Sequence, residues 1–279
     1  MSKVPRVDLA TLAKIAPDDL RLFWVNDWLD TSAGVPLSAA WIAGGSIRIS
    51  SNTGISIGSG ALLDASGGAQ LRADRRANYG DGGAIELETN AGSSTITSLL
   101  ELGGSLRAFG FDRGGRISLA VPKVRIGGAP AAGELGLAPG FFLAGGFADF
   151  TVDAAIGMTV AAGTVLAPKV SNFVLRPESA SRATGSAISD VATVTLLPTE
   201  LRDAANITLR ASDIVDGHTV LGEGATISTD PGGSVTLSAG AQLTVLGSIT
   251  APGGTIALSI SSRAGQSFDP GFSDRQSLW

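Results

Sequence analysis

The chain has 279 residues, 38 of them glycine, with 16% charged, 5% aromatic, no cysteine and a formal net charge of −5. Compact α/β enzymes carry about 25% charged residues, and a hydrophobic fraction of 44% is too high for a disordered linker. No basic run is longer than Arg75-Arg76, which argues against a nucleic-acid footprint. The absence of cysteine excludes disulfides and thiolate metal sites, and no apolar run is long enough to predict membrane insertion.

The N-terminal segment 1–40 differs in composition from the residues that follow. Charged residues interrupt it throughout, as MSKVPRVDLATLAKIAPDDL shows, so it lacks the apolar stretch of a secretory signal peptide. Asp8 can cap a short helix over residues 9–16, and Pro17 ends or restarts that helix. We predict an irregular or short-helical segment here, either a cap on the following strands or an irregular coil.

A six-residue phrase recurs after this segment: two glycines, any residue, an aliphatic residue, any residue and an apolar residue. It occurs as GGSIRI from Gly44, GGAIEL from Gly82, GGSLRA from Gly103, GGRISL from Gly114, GGSVTL from Gly232 and GGTIAL from Gly253. Alternation of apolar and small or polar residues predicts a strand with one buried face. The glycines supply the conformations that tight corners between strands require.

The spacing of glycine pairs favours a repeat of stacked coils. Similar intervals separate Gly82 from Gly103, Gly232 from Gly253, and Gly44 from Gly67. We therefore predict an all-β chain folded as a right-handed parallel β-helix (a β-solenoid) with about 20–23 residues per coil and about ten coils.

This interpretation divides the chain after residue 40 into three parts. Residues 41–128 form β-helix coils, residues 129–148 form a loop rich in glycine, alanine and proline, and residues 149–279 continue the coils to a truncated C-terminus. Near that end we expect Ile256 and Leu258 to fill the interior, so that aspartate at either position would bury an unpaired charge.

Several residues could carry chemistry, and each has a simpler structural interpretation. His218, the single histidine, follows an Asp-Gly turn and is expected to be exposed. Asp64 precedes Glu86 by about one predicted coil, and Glu88 follows on the same side of its strand, a spacing that could pair carboxylates as in a glycosidase. Asp64, however, lies in a turn phrase where its side chain would cap the backbone. The sequence predicts no catalytic residue.

Two further clusters concern ligands rather than catalysis. The segment 79–83 (YGDGG) resembles calcium-binding nonapeptides, but the required nine-residue repeat is absent, so we predict no metal and no cofactor. Arg72, Arg75 and Arg76 form the densest charge cluster, which indicates a solvated loop or a contact site for an anionic glycan or partner. Four phenylalanines are expected to stack in the core: Phe141, Phe142, Phe147 and Phe150.

Six segments together resemble filamentous haemagglutinin-like exoproteins, the large passengers of bacterial two-partner secretion. They are DPGGSVTLSAGAQLTVLGSITAPGGTIAL (230–258), PGFFLAGGFADFTV (139–152), AAGTVLAP (161–168), LFWVNDWLD (22–30), SGALLDASGG (59–68) and QSLW (276–279). Each segment is rich in small residues, but their order along one chain makes the resemblance fairly specific, and together they span most of it.

The resemblance implies an interior fragment of a secreted rod at the bacterial cell surface, exported through an outer-membrane transporter. It implies a non-enzymatic stalk that adheres to a host-cell or bacterial receptor or glycan, or that displays a toxin. The chain lacks the signal peptide, secretion domain and effector domain of a complete member, so it is expected to be an interior piece or a truncated frame. Two alternatives stay open: a β-helical polysaccharide-active enzyme, and a rigid spacer of a contact-dependent toxin system.

Overall fold

A computed structural model describes residues 43–71, 77–89, 99–181, 186–261 and 277–278. The predicted N-terminal segment 1–40 lies outside these residues. The described chain is mostly β-strand, as expected for an all-β protein.

The strands are short, and most are separated by glycine-containing turns. The first eleven are β1 (Ser46–Ser51), β2 (Gly54–Ile57), β3 (Leu62–Asp64), β4 (Ala69–Leu71), β5 (Ala77–Tyr79), β6 (Ala84–Thr89), β7 (Leu99–Leu102), β8 (Ser105–Arg107), β9 (Gly115–Ile126), β10 (Leu135–Leu137) and β11 (Phe147–Val160). The others are β12 (Val165–Leu166), β13 (Asn172–Leu175), β14 (Ala192–Thr195), β15 (Asn206–Ala211), β16 (His218–Leu221), β17 (Thr226–Ser228), β18 (Ser234–Ala239), β19 (Gln242–Val245), β20 (Ser248–Thr250), β21 (Thr255–Ile260) and β22 (Ser277–Leu278).

Seven strands stack in one parallel ladder, in the order β1-β6-β9-β11-β15-β18-β21. We call each of these strands, with the chain leading to the next, a rung. Smaller parallel sets lie beside the ladder: β16-β19-β22, β12-β17-β20, β2-β7 and β3-β8. Strands β9 and β11 are long enough to belong to two neighbouring sets, because the later half of β11 pairs with β16.

Register aligns apolar residues of successive rungs into two inward columns. The first column contains Ile47, Ile85, Ile117, Phe150, Ile207, Val235 and Ile256. The second contains Ile49, Leu87, Leu119, Val152, Leu209, Leu237 and Leu258. The middle five members of each column are at most 2% exposed. Because burying one such side chain contributes about 1.5–3 kcal/mol, these columns are the main source of stability.

The final rung departs from the expected burial. Ile256 is 46% exposed and Leu258 is 41% exposed, so the prediction that both fill the interior is wrong. Among the described residues, β21 pairs with β18 alone, and therefore no further strand covers its inward side chains. Their partners Val235 and Leu237, which have a rung on each side, are 0% and 1% exposed.

Most rungs are longer than predicted, and their lengths are unequal. Ile85 pairs with Ile47 on the preceding rung and with Ile117 on the following one, and both steps exceed the predicted coil. The phrase at Gly103 opens β8, which pairs with β3 in a separate sheet, so the interval from Gly82 does not measure a rung. The predicted length holds for the last rung, where Val235 pairs with Ile256.

Insertions at the corners cause this variation. The pairing of Phe150 with Ile207 makes the longest step of the ladder, because residues 167–205 leave the ladder after β12 and return at β15. This insertion contains the antiparallel pair β13–β14, a 3-10 helix (Pro177–Ser181) and the short helix α1 (Ile188–Val191). A second antiparallel pair, β4–β5, lies between β3 and β6.

The predicted loop 129–148 also contains regular structure. It holds β10, which pairs with β9, and a 3-10 helix over Pro139–Leu143 that begins with proline, the residue whose fixed φ favours a helix start. Strand β11 begins at Phe147, so the last two residues of the predicted loop belong to this strand. As predicted, Phe142, Phe147 and Phe150 are buried, with Phe141 packed against them.

Candidate functional site

The glycine phrases of the first three rungs stack at one corner of the ladder and form an open groove of about 390 Å³. Its floor contains the glycine pairs that begin at Gly44, Gly82 and Gly114. Charged side chains of both signs line it: Asp81, Arg113, Arg116 and Asp149. We call this feature the corner groove.

Hydrogen bonds join polar side chains of successive rungs into a continuous row along this corner. The Arg113 backbone N–H donates to the Asp81 carboxylate at 3.2 Å, and the Arg113 guanidinium donates to Asp149 at 3.0 Å. Asn206 donates its amide to Asp149 at 2.7 Å and accepts from the Ser234 hydroxyl at 2.8 Å. We call these five residues the polar row. Each holds its neighbour in place, so the side chains facing the groove are positioned before any ligand arrives.

Backbone N–H groups on the groove floor donate hydrogen bonds to carbonyl groups of neighbouring rungs. Gly44 N–H donates to Asp81 C=O at 2.8 Å, Gly82 N–H donates to Arg113 C=O at 2.8 Å, and Arg116 N–H donates to Gly83 C=O at 2.9 Å. These donors are therefore not free to pair with a ligand's main chain. The chemistry that the groove offers comes from its side chains.

Asp203, in the insertion 167–205, anchors that insertion to the corner. Its carboxylate accepts a hydrogen bond from Gly114 N–H at 3.2 Å. Burial raises the pKa of Asp203 above its usual value, and the nearby carboxylates of Asp112 and Asp81 act in the same direction. The hydrogen bond from Gly114 and the charge of Arg113 oppose that rise.

A second anchor joins the same insertion to a later corner. The Arg202 guanidinium donates two hydrogen bonds to Asp230, at 2.6 and 2.8 Å, and one to Leu197 C=O at 2.8 Å. The side chains of Arg202 and Asp230 are 7% and 10% exposed. The hydrogen bond from Arg202 lowers the pKa of Asp230, against the effect of burial, and Lys169 contributes a more exposed charge at 3.5 Å.

Two aromatic residues lie close in sequence to the lining of the groove. Tyr79 and Phe111 each lie shortly before a charged member of the polar row, Asp81 and Arg113. Their rings stack with centroids 5.7 Å apart and an interplanar angle of 14°. Phe111 also contacts Phe173 of the insertion at 5.3 Å, whereas Tyr79 is 50% exposed. The pair therefore presents an aromatic surface next to polar groups.

Of the candidate residues from the sequence that the structure describes, those at positions 81–83 of the segment 79–83 line this groove, whereas Asp64, Glu86, Glu88 and His218 do not. Arg72, Arg75 and Arg76 belong to the connection between β4 and β5 and lie outside the described residues. His218 begins β16 on an exposed position, paired with Gly157 and Gln242. The expectation of an exposed histidine is confirmed.

The carboxylates considered as a catalytic pair are separated by the register. Asp64 lies opposite Arg107 on β8 and accepts a hydrogen bond from Ser66 N–H at 2.9 Å, which confirms its capping role. Glu86 and Glu88 both form ion pairs with Arg48, at 3.7 and 3.4 Å. Within the described residues, no three His, Cys, Asp or Glu side chains are grouped to hold a metal ion.

Sequence reasoning missed Arg113, Asp149, Asn206 and Ser234 as a group, although it noted the glycine phrases beside them. A signal existed, since Asp81 and Arg113 each directly precede a glycine pair. The grouping depends on register across insertions, because Arg113 N–H reaches Asp81 from the following rung. Only the pairing of rungs reveals it.

Comparison of the chain with protein-family models, with curated proteins and with solved structures finds no match. None of the helices in the described ranges has the length and apolarity needed to span a membrane.

Proposed function

We propose that the chain is a structural and adhesive segment of a large bacterial secreted surface protein. The observation that carries the proposal is the ladder of seven parallel strands with continuous apolar columns. Such a ladder stacks identical contacts along one direction, as repeat proteins do, and it suits a stalk that presents a side surface over its length.

In this proposal the rungs wind as a right-handed parallel β-helix. The support is general, since parallel strands joined by crossovers are right-handed in about 98% of cases. The proposed setting is the cell surface, after export of a longer protein by an outer-membrane transporter. The partner is a receptor or glycan on a host cell or another bacterium.

We further propose that the segment is not catalytic. Support comes from the placement of Asp64 and Glu86, which lie on β3 and β6 in different sheets rather than on neighbouring strands. The carboxylates at the corner, Asp81 and Asp149, accept hydrogen bonds that hold them within the polar row, an arrangement suited to binding. A spacer in a toxin system remains the alternative that shares the same stalk.

Adhesion of coated beads tests the proposal. Beads carrying the full chain are expected to attach to epithelial cells or to bacterial lawns more than albumin-coated beads do. A Leu119→Asp chain, in which a core charge abolishes folding, should lose that attachment. Attachment no better than albumin, or release of reducing sugar ends from acidic polysaccharides by the wild-type chain, would contradict the proposal.

A further inference from the structure

Gly45 occupies the corner groove without a structural reason to be glycine. Among the described residues, a Cβ added at Gly45 would meet no atom within 4 Å, and the φ of Gly45 lies outside the left-handed region. The aligned glycine of the next rung, Gly83, differs, because a Cβ there would lie 2.6 Å from Ala65 C=O. Gly45 lines the groove, so a larger side chain at this position would take up space at its floor.

The charges around this space balance. Two carboxylates, Asp81 and Asp149, and two guanidiniums, Arg113 and Arg116, line the groove. A polyanion would face the carboxylates and a polycation would face the guanidiniums, so neither fits the whole surface. Carboxylates accept hydrogen bonds and guanidiniums donate them in paired geometry, which matches the adjacent hydroxyl groups of a neutral sugar.

Two other features favour a sugar over a peptide as the ligand of the groove. The N–H groups of Gly44, Gly82 and Arg116 on the floor already donate between rungs, so an extended peptide would find few free donors there. The half-exposed Tyr79 ring, backed by Phe111, offers the apolar face on which a pyranose ring can pack. Rungs spaced about 4.8 Å apart repeat these polar contacts at roughly the length of one sugar unit.

We propose that the corner groove binds a neutral, hydroxyl-rich oligosaccharide, held by Asp81, Arg113, Arg116 and Asp149 beside the Tyr79–Phe111 ring pair. This site rests on the proposed adhesive function and specifies its ligand class. This ligand class differs from the anionic glycan considered for the arginine cluster 72–76, which lies outside the described residues.

Filling the open floor tests the site. The full chain is titrated by calorimetry with short neutral oligosaccharides of glucose, galactose, mannose, xylose and N-acetylglucosamine. A sulfated polysaccharide serves as the charged comparison. We expect at least one neutral oligosaccharide to bind, and Gly45→Val to weaken that binding by about tenfold or more, with an unchanged melting temperature.

Gly58→Val is the matched control. Gly58 also has no atom within 4 Å of an added Cβ and no left-handed φ, but it lies away from the lining of the groove, so this variant should bind as the wild type does. Wild-type affinity in Gly45→Val, binding of the sulfated polysaccharide alone, or no binding at all would overturn the site.

Adhesion of beads coated with Gly45→Val distinguishes the two proposals. Loss of attachment together with loss of sugar binding supports both. Persistent attachment when no neutral sugar binds the wild-type chain overturns the groove as the ligand site and leaves the adhesive function standing.

Discussion

Gly45 and Gly83 occupy equivalent positions on consecutive rungs, since Ser46 pairs with Ala84. The space around their Cα atoms differs. The backbone of Gly83 is pressed against its neighbours: its N–H donates to Ala65 C=O at 2.8 Å, and an added Cβ would contact that oxygen. Gly45 faces open space. Packing therefore requires glycine at position 83 of this repeated phrase but not at the equivalent position 45.

The variants Gly83→Ala and Gly45→Ala should separate these two cases. We expect Gly83→Ala to destabilise the chain by about 1–3 kcal/mol, the usual cost of overpacking, and Gly45→Ala to change the free energy of unfolding little. Urea denaturation followed by circular dichroism measures both. Equal stability of the two variants would contradict the rung contact.

Asp203 should give the chain a pH-dependent loss of stability. Because its pKa is raised in the folded state, the folded chain holds this proton more tightly than the unfolded chain, whose aspartate pKa is about 3.9. Stability from this group is complete below the unfolded value and is lost as pH rises through the folded value.

Asp203→Asn removes that loss. The variant should be at least as stable as the wild type at neutral pH, and the stability difference should shrink towards acid pH. Melting temperatures of both chains across the acid range provide the measurement. Asp230, whose pKa is lowered, has the opposite pH dependence in both chains and cancels in the comparison; a constant difference at all pH values would refute the assignment.

The contribution of a strand's apolar side chains to the free energy of unfolding depends on the position of that strand in the ladder. Leu237 and Leu258 face each other in one column, but Leu237 is 1% exposed and Leu258 is 41% exposed. We expect Leu237→Ala to cost about 2–5 kcal/mol and Leu258→Ala clearly less, as measured by chemical denaturation. Similar losses would mean that β21 is covered as fully as β18.

The insertion 167–205 depends on its two anchors. Arg202→Ala leaves Asp230 as a buried carboxylate without its main partner, so we expect a loss of about 3–5 kcal/mol. Lys169→Ala, which removes a half-exposed charge from the same carboxylate, should cost at most about 1 kcal/mol. Thermal unfolding compares them, and limited proteolysis within the insertion should accelerate in Arg202→Ala alone.

The sequence was sufficient to predict strands at the glycine phrases, the inward alternation of Ile85, Leu87 and their counterparts, and the capping role of Asp64. These features are local, because they depend on residues a few positions apart. The pairing of one glycine phrase with another depends on residues far apart in sequence. The phrase at Gly103 has the same pattern as that at Gly82, and the pattern alone does not reveal that the two belong to different sheets.

At the scale of the whole molecule, unequal rungs share one core. The ladder keeps its register across its shortest step, from Val235 to Ile256, and its longest, from Phe150 to Ile207, since each insertion leaves and returns at a corner. The candidate site follows from this arrangement, because the polar row joins side chains that lie on different rungs. The seven rungs that the structure describes span about 30 Å at about 4.8 Å per step; equal spacing predicted about ten coils for the whole chain.

The unequal lengths of the rungs have a mechanical consequence. Tension along the stacking direction pulls on the hydrogen bonds between rungs one rung at a time, so the chain should yield in discrete extensions. At about 3.3–3.6 Å per extended residue, the step from Phe150 to Ile207 would release about 190–205 Å and the step from Val235 to Ile256 about 70–75 Å. An optical-trap recording should therefore show extension steps of unequal length, the largest from the segment that carries the insertion. Under tension, that segment would supply most of the added length.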